Sequence, residues 1–399
     1  MDMRTPLQVV AIRDKSNPDA DVFVDMLRLA FEGDTGRATA RGYLADSIDL
    51  SVRVLVMDSP PNQDPDIERL LNGALHTVLV IIENSVDSQE RHRYRCLLMD
   101  DGVIAFRGRV AASGRTEIDP VIAIRMPEPV ADGDIQRDGT DPDLIEPGLQ
   151  PVALALNTLN LARQLLHRSW QPAAKDFRRV KLFISHAKID GIPMALSLLG
   201  LMRRLQRYPA QSGSSGPDYF YDIEDIKPGD QWRKVLEDNA SNSVLIALRT
   251  DEYEKRYWCR NEYLWAESSL MPVLVVDLRA GQYYDSARLP FDAAPVVKVH
   301  DGNLVRVILH ALACDLRMLR YQVQLKDLKN GTQFILLPHK PSTYSMNGAA
   351  KSLSNASAAG KATQILYPNP ALPDEFTESV QPLLGDAEMM SIDQFTGGL

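Results

Sequence analysis

Three short segments in the middle of the chain carry side chains whose types and spacing could do chemistry together. The first, Ser185-His-Ala-Lys-Ile-Asp-Gly191, offers a hydroxyl, an imidazole and an amine in a turn closed by glycine. The second, Asp222-Ile-Glu-Asp-Ile-Lys-Pro-Gly-Asp230, mixes carboxylates with a Pro-Gly turn, and Trp232 follows it. The third, Trp258-Cys-Arg-Asn-Glu-Tyr-Leu-Trp-Ala-Glu267, reads as helix, with Trp258 and Glu262 one turn apart on one face. Lys188 suits contact with a diphosphate or is a plain surface charge. Trp232 stacks on a nucleotide ring or anchors its helix. Asp222 and Glu224 face a ligand or cap their turn. Trp265 reads as core. The signatures of better-known chemistries are missing from the sequence: there is no GxxxxGK[ST] loop, no GxGxxG after a strand, no GxSxG elbow and no HExxH. His186, His300, His310 and His339 lack metal-ligand spacing and read as structural or surface histidines.

The elements that must position these groups alternate strand and helix. Strands are expected at 180–185, 219–221, 243–248 and 272–277, and helices at 194–207, 231–240 and 257–268, with a Pro-, Gly- and Ser-bearing loop at 208–218. Repeated alternation of this kind predicts a doubly wound sheet, with ligands at the carboxyl ends of the strands near a topological switch point. All three segments fall at that end.

In this order and at these spacings the region from Lys181 to Asp277 resembles the TIR (Toll/interleukin-1 receptor) domain. Leu182-Phe-Ile-Ser-His186 is similar to its first-strand box, Asp225-Ile-Lys-Pro-Gly229 to its BB loop, and Trp258-Cys-Arg-Asn-Glu262 to its Trp-x-x-x-Glu helix. The resemblance implies a flavodoxin-like doubly wound parallel sheet. It also implies one of two functions, an adaptor that only assembles or an enzyme that hydrolyses or cyclises NAD⁺ with release of nicotinamide. In the enzymatic branch the catalytic residue would be Glu262, with Ser185, His186, Lys188, Asp222, Gly229, Trp232 and Trp258 around the substrate. No metal is implied, and NAD⁺ enters as substrate rather than cofactor. His186-Ala187 stands where some enzymatic relatives carry an aromatic-basic pair. One carboxylate suffices for such chemistry, because nicotinamide leaves neutral and needs no general acid; what remains is to stabilise the ribosyl cation. The expectation is an NAD⁺ nucleosidase activated by oligomerisation, in bacterial antiphage defence. A non-catalytic scaffold that recruits partners through the BB loop is the alternative, and a nucleoside deoxyribosyltransferase of related fold is a third reading.

The flanks set the context. Residues 1–168 are expected to form an N-terminal α/β domain, either a degenerate TIR-like relative or an unrelated sensor. Its expected strands are 8–12, 52–57, 77–82 and 121–124, its expected helices 22–31, 67–75 and 152–166, and 132–147 is an expected exposed loop with five Asp, two Gly and two Pro. The TIR-like unit spans 175–300. Residues 301–399 are expected to hold a helix at 304–319, short strands at 333–337 and 364–366, and a flexible linker at 342–361, rich in Ser, Ala, Gly and Asn. Ile365-Leu-Tyr-Pro-Asn-Pro-Ala-Leu-Pro is similar to the lead-in of nucleotide-sensing domains. That makes a small nucleotide an expected activator, and the tail to Leu399, with no convincing final element, leaves open whether the chain ends there or was cut from something longer. A hydrolase of an essential cofactor needs restraint, and such long flanks are expected to supply it by gating self-association.

Composition narrows the class further. The 399 residues are 45% hydrophobic with a formal charge of −9, a globular chain whose charge has the wrong sign for tracking nucleic acid. Cys96, Cys259 and Cys314 lie too far apart for a CxxC site or a disulfide framework, which favours a reducing compartment. The opening residues from Met1 lack a long apolar region, and no run approaches the ~18 apolar residues of a spanning helix. The expectation is a soluble, cytoplasmic protein with no membrane partner.

Overall fold

A computed structural model of the chain describes residues 5–13, 19–32, 52, 54–57, 74–82, 121–125, 149–171, 180–206, 209–210, 213–214, 217–226, 231–279, 293–299, 304–326, 333–357, 363–368, 371–385 and 387–396. They form a mixed α/β protein of parallel sheets and fall into two compact units.

The first unit holds strands β1 (Thr5–Arg13), β2 (Val54–Met57), β3 (Ala74–Ile82) and β4 (Val121–Arg125) and helices α1 (Asp19–Phe31) and α2 (Gln150–Trp170). Its strands are all parallel in the order β2-β1-β3-β4. The centres of β1 and β3 are β-branched and aliphatic, and Val9, Val10, Ala11, Val78 and Val80 are buried. Ala74 and Leu75, expected to close a helix, instead open β3, where the β-branched run 77–82 extends backwards; 67–73 and the 132–147 loop lie outside the described residues.

In the second unit five strands, β5 (Lys181–His186), β8 (Asp218–Phe220), β9 (Val244–Arg249), β10 (Val273–Asp277) and β11 (Val296–Lys298), make one parallel sheet ordered β11-β10-β9-β5-β8. Helix α3 (Ile192–Gln206), which belongs to this unit through Leu201 and to the first unit from Met202, follows β5; α4 (Asp222–Asp225) follows β8, α5 (Trp232–Ala240) leads into β9, and α6 (Tyr257–Ser268) leads into β10. The 208–218 loop is interrupted by a two-residue antiparallel ribbon, β6 (Pro209–Ala210) with β7 (Gly213–Ser214), which groups with the first unit. Strand order reverses at β5, whose two neighbours are β8 and β9, so the carboxyl end of β5 is the switch point. Phe183, Phe220, Leu245, Tyr263, Val273 and Val275 belong to the core that packs α5 and α6 on this sheet. The first unit repeats the order of this sheet's first four strands.

Beyond helix α7 (Leu304–Lys326), a third parallel sheet runs β12 (Gln333–Leu336), β13 (Thr363–Tyr367), β14 (Glu388–Ser391), with helices α8 (Thr343–Ser357), α9 (Asp374–Leu384) and α10 (Ile392–Thr396). Two expectations fail here. The stretch 342–361 is not a linker: 343–357 is helix, and Met346, Ala349 and Leu353 recur at helical spacing into a core with Ile335, Ile365 and Tyr367. Small side chains let that helix pack close, and composition alone hid it. The tail after 370 likewise has a helix, a strand and a short helix, so a final element does exist. No helix among the described residues is long and apolar enough to cross a membrane.

Candidate functional site

The turn after β5 is built around Gly191. A Cβ there would lie 2.8 Å from the carbonyl oxygen of Ala187, which also accepts from the Gly191 N–H at 2.7 Å. The turn closes, and α3 begins at Ile192 with Pro193 in its first turn, where a missing N–H does no harm. Asp190 then ties this turn to the one after β9: its carboxylate accepts from the Thr250 hydroxyl at 2.7 Å and the Glu252 N–H at 3.1 Å. The two strand ends that flank the switch point are thereby fixed to one another.

Glu262, on the sheet-facing side of α6, is only 6% exposed. Its Oε2 accepts a 2.5 Å hydrogen bond from the hydroxyl of Ser185, the penultimate residue of β5. Ser185 also lies 2.7 Å from the hydroxyl of Tyr253, in the 3-10 turn between β9 and α6. Burial pushes the Glu262 carboxyl up to about 8; the nearby Asp222 adds to the rise, while the Ser185 hydrogen bond and the Lys188 charge oppose it. A carboxyl in this setting is largely neutral at pH 7 and gains affinity for its ionised form when positive charge arrives.

Asp222, 8% exposed at the start of α4, pairs with Lys188 at 3.2 Å, and Lys188 Nζ also sits 4.9 Å from the centroid of the Trp232 ring. The carboxylate that reaches back to cap this turn is Asp225, which accepts from the Tyr221 N–H at 2.6 Å. His186 stacks on Tyr221 with ring centroids 5.3 Å apart, and burial lowers its pKa against the opposing pull of Asp222. His186 Nε2 and Asp222 Oδ1 are buried and have no hydrogen-bond partner among the described residues. Buried polar atoms are nearly always paired, so these two atoms call for a water or a polar ligand as partner.

Of the residues singled out in the sequence, Ser185, His186, Lys188, Asp222, Trp232 and Glu262 are thus linked by contact or charge. Trp258 is 39% exposed, and its ring contacts are Tyr257 and Trp265. Trp265 packs against the core, as expected. Gly229 lies outside the described residues. Cys259 gives its thiol to the His186 carbonyl at 3.3 Å, and burial holds that thiol well above its usual range. His310 and His339 are buried, and His339 Nε2 accepts from the Val273 N–H at 2.7 Å, a structural task.

Three residues of this neighbourhood carry no signal in the sequence. Asp190 and Tyr253 are ordinary turn residues until the strands are aligned. Glu267, on α6 about 140° around the helix from Glu262, is 1% exposed and accepts from the Ser342 hydroxyl, which leads into α8, and from Tyr263 at 3.4 Å. Burial raises its carboxyl to about 7. Gly348 of α8 lies so close to the end of α6 that a Cβ would sit 2.9 Å from the Ser268 carbonyl carbon. Leu270, just beyond α6, adopts a φ of 57° and packs into the α8 core.

Among the described residues no group of three or more His, Cys, Asp or Glu could hold a metal ion. No protein-family model, curated protein or solved structure matches the chain.

Proposed function

We propose that the second unit contains a TIR-type NAD⁺ nucleosidase centred on Glu262. The observation that carries this reading is a buried carboxyl, hydrogen-bonded to Ser185, at the switch point of a parallel sheet ordered 2-1-3-4-5, the flavodoxin-like order. NAD⁺ supplies what that carboxyl needs. The nicotinamide riboside is cationic, and an opposite charge nearby draws the Glu262 pKa back down, so the site ionises as it fills. The bond from ribose C1′ to the nicotinamide nitrogen then breaks with its electron pair leaving on neutral nicotinamide. Glu262 faces the positive charge that develops on the ribose. Addition of water at C1′, with loss of a proton, yields ADP-ribose; addition of a nitrogen of the adenine base yields a cyclic isomer. Lys188, now paired with Asp222, is the cation a diphosphate would take over, and its departure uncovers the Trp232 ring for a base.

The decisive experiment is nicotinamide release from NAD⁺ by the purified full chain, compared with Glu262→Gln. Turnover is expected to fall at least about a hundredfold in the variant, the scale of losing preorganised electrostatic stabilisation, while NAD⁺ binding is largely kept. Equal turnover in a folded Glu262→Gln protein refutes the assignment. An absence of release across protein concentrations and candidate nucleotide activators returns the scaffold reading. Self-association is part of the proposal, so specific activity per protomer rises with protein concentration.

A further inference from the structure

We propose that His186 Nε2 and Asp222 Oδ1 form a subsite that reads the two hydroxyls of the adenosine ribose and turns away a phosphate on them. It rests on the reading of Glu262 given above and narrows the substrate to NAD⁺ over its 2′-phosphorylated form, NADP⁺.

The two atoms lie at the carboxyl ends of neighbouring strands. His186 is the last residue of β5, Asp222 follows the end of the adjacent β8, and the His186 ring stacks on Tyr221, the residue before Asp222. Both side chains are buried, at 6% and 8% exposure, and neither atom has a hydrogen-bond partner among the described residues. Both atoms are acceptors. His186 hydrogen-bonds the backbone carbonyl of Ile184, and with Nε2 unpartnered that bond belongs to Nδ1. The ring proton is therefore spent on Ile184, burial keeps the imidazole from taking a second, and Nε2 presents a lone pair. Asp222 presents another: Lys188 holds its Oδ2 at 3.2 Å, and a carboxylate can only accept. Two neighbouring buried acceptors call for a ligand with two donors, which a vicinal diol supplies.

The surroundings select which diol. Lys188 Nζ touches Asp222 on one side and lies 4.9 Å from the Trp232 ring centroid on the other. In an adenosine diphosphate the ribose is bonded to the base at one end and to the diphosphate at the other. An indole face for the base, two acceptors for the sugar and an ammonium for the diphosphate match those three parts. Transfer of Lys188 to the diphosphate also frees the second Asp222 oxygen to accept. Glu262 is left to the other ribose, the one that carries nicotinamide. A 2′-phosphate would replace a donor by acceptors and set its negative charge against the Asp222 carboxylate.

The test is calorimetric titration of the full chain with ADP, 2′-deoxy-ADP, 3′-deoxy-ADP and ADP bearing a 2′-phosphate. ADP is expected to bind about ten- to a hundredfold more tightly than each of the others. His186→Phe, which keeps a ring against Tyr221, should erase the preference for one hydroxyl, and His186→Gln, which restores an acceptor, should regain part of it. Asp222→Asn, the same shape without the charge, should ease the exclusion of the 2′-phosphate by about tenfold. Equal binding of ADP and both deoxy analogues, no binding of ADP, or an unchanged preference in His186→Phe overturns the subsite and leaves the two acceptors to water. Nicotinamide release from NAD⁺ and NADP⁺ at equal kcat/KM also overturns it, with the Glu262 reading intact. Selective ADP binding with no nicotinamide release keeps the subsite and sinks the nucleosidase reading instead.

Discussion

Replacing Glu262 by glutamine removes one ionisation while leaving an oxygen to accept from Ser185, so the pair of proteins isolates what burying this carboxyl does to folding. In the unfolded chain the group titrates near its ordinary 4.5, in the folded protein at about 8. Between those values the folded state holds a proton that the unfolded state has released. Stability therefore falls as pH rises from about 4.5, and the loss is complete above about 8. At about 1.36 kcal/mol per pH unit, that interval sets a ceiling of roughly 5 kcal/mol. Relaxation of the site and entry of water bring the expected effect to roughly 2 to 5 kcal/mol. Urea unfolding of wild type and Glu262→Gln from pH 4.5 to pH 9, without NAD⁺, reads it directly. The advantage of the variant should be near zero at the acid end and grow through neutrality to a plateau above pH 8. Glu267 also titrates in this range but is common to both proteins, so the difference isolates Glu262. A difference that stays constant across the whole range would falsify the burial argument, whatever the protein's activity.

Two further outcomes test the packing. Gly348→Ala should destabilise by about 1 to 3 kcal/mol, because its methyl meets the Ser268 carbonyl, whereas Gly200→Ala, where a Cβ meets nothing within 4 Å, should stabilise by up to about 1 kcal/mol; thermal melts of the two variants should move in opposite directions. Cys259 and Cys314 should stay unlabelled by a thiol reagent at pH 8 until denaturant is added, since burial pushes the Cys314 thiol up to about 12 and Cys259 higher than its usual range; peptide mass mapping of the labelled sites would show otherwise.

Much of the second unit could be read in advance because its strands are continuous apolar runs. Leu182, Phe183 and Ile184, or Val273 through Val276, are buried on both faces of the sheet and carry no polar residue to confuse the period. The helix 257–268 was legible because Cys259, Glu262, Tyr263 and Ala266 recur at helical spacing on its buried face. What stayed hidden depends on partners distant in sequence. Thr343–Ser357 has too few large side chains to announce a helix, yet Ala349 is fully buried once α6 is beside it. Tyr253 looks like any residue of a polar turn, and only the pairing of β5 with β9 brings its hydroxyl to Ser185. Glu267 reads as the solvated end of a helix until Ser342 covers it.

Helix α6 has two faces held by different parts of the chain. One presents Glu262 to the strand ends, and the other presents Glu267 and Ser268 to Ser342 and Gly348, while His339 caps the Val273 N–H at the entry to the next strand. A fragment cut after the five-stranded sheet would look complete by strand count. It would nonetheless carry a buried carboxyl stripped of the Ser342 hydroxyl, a strand amide without its His339 acceptor, and Leu270 held in a left-handed turn without the α8 core it packs on. The smallest portion of this chain that can be expressed as a faithful copy of the Glu262 site therefore extends through α8, well past the last strand of the sheet on which the site is built.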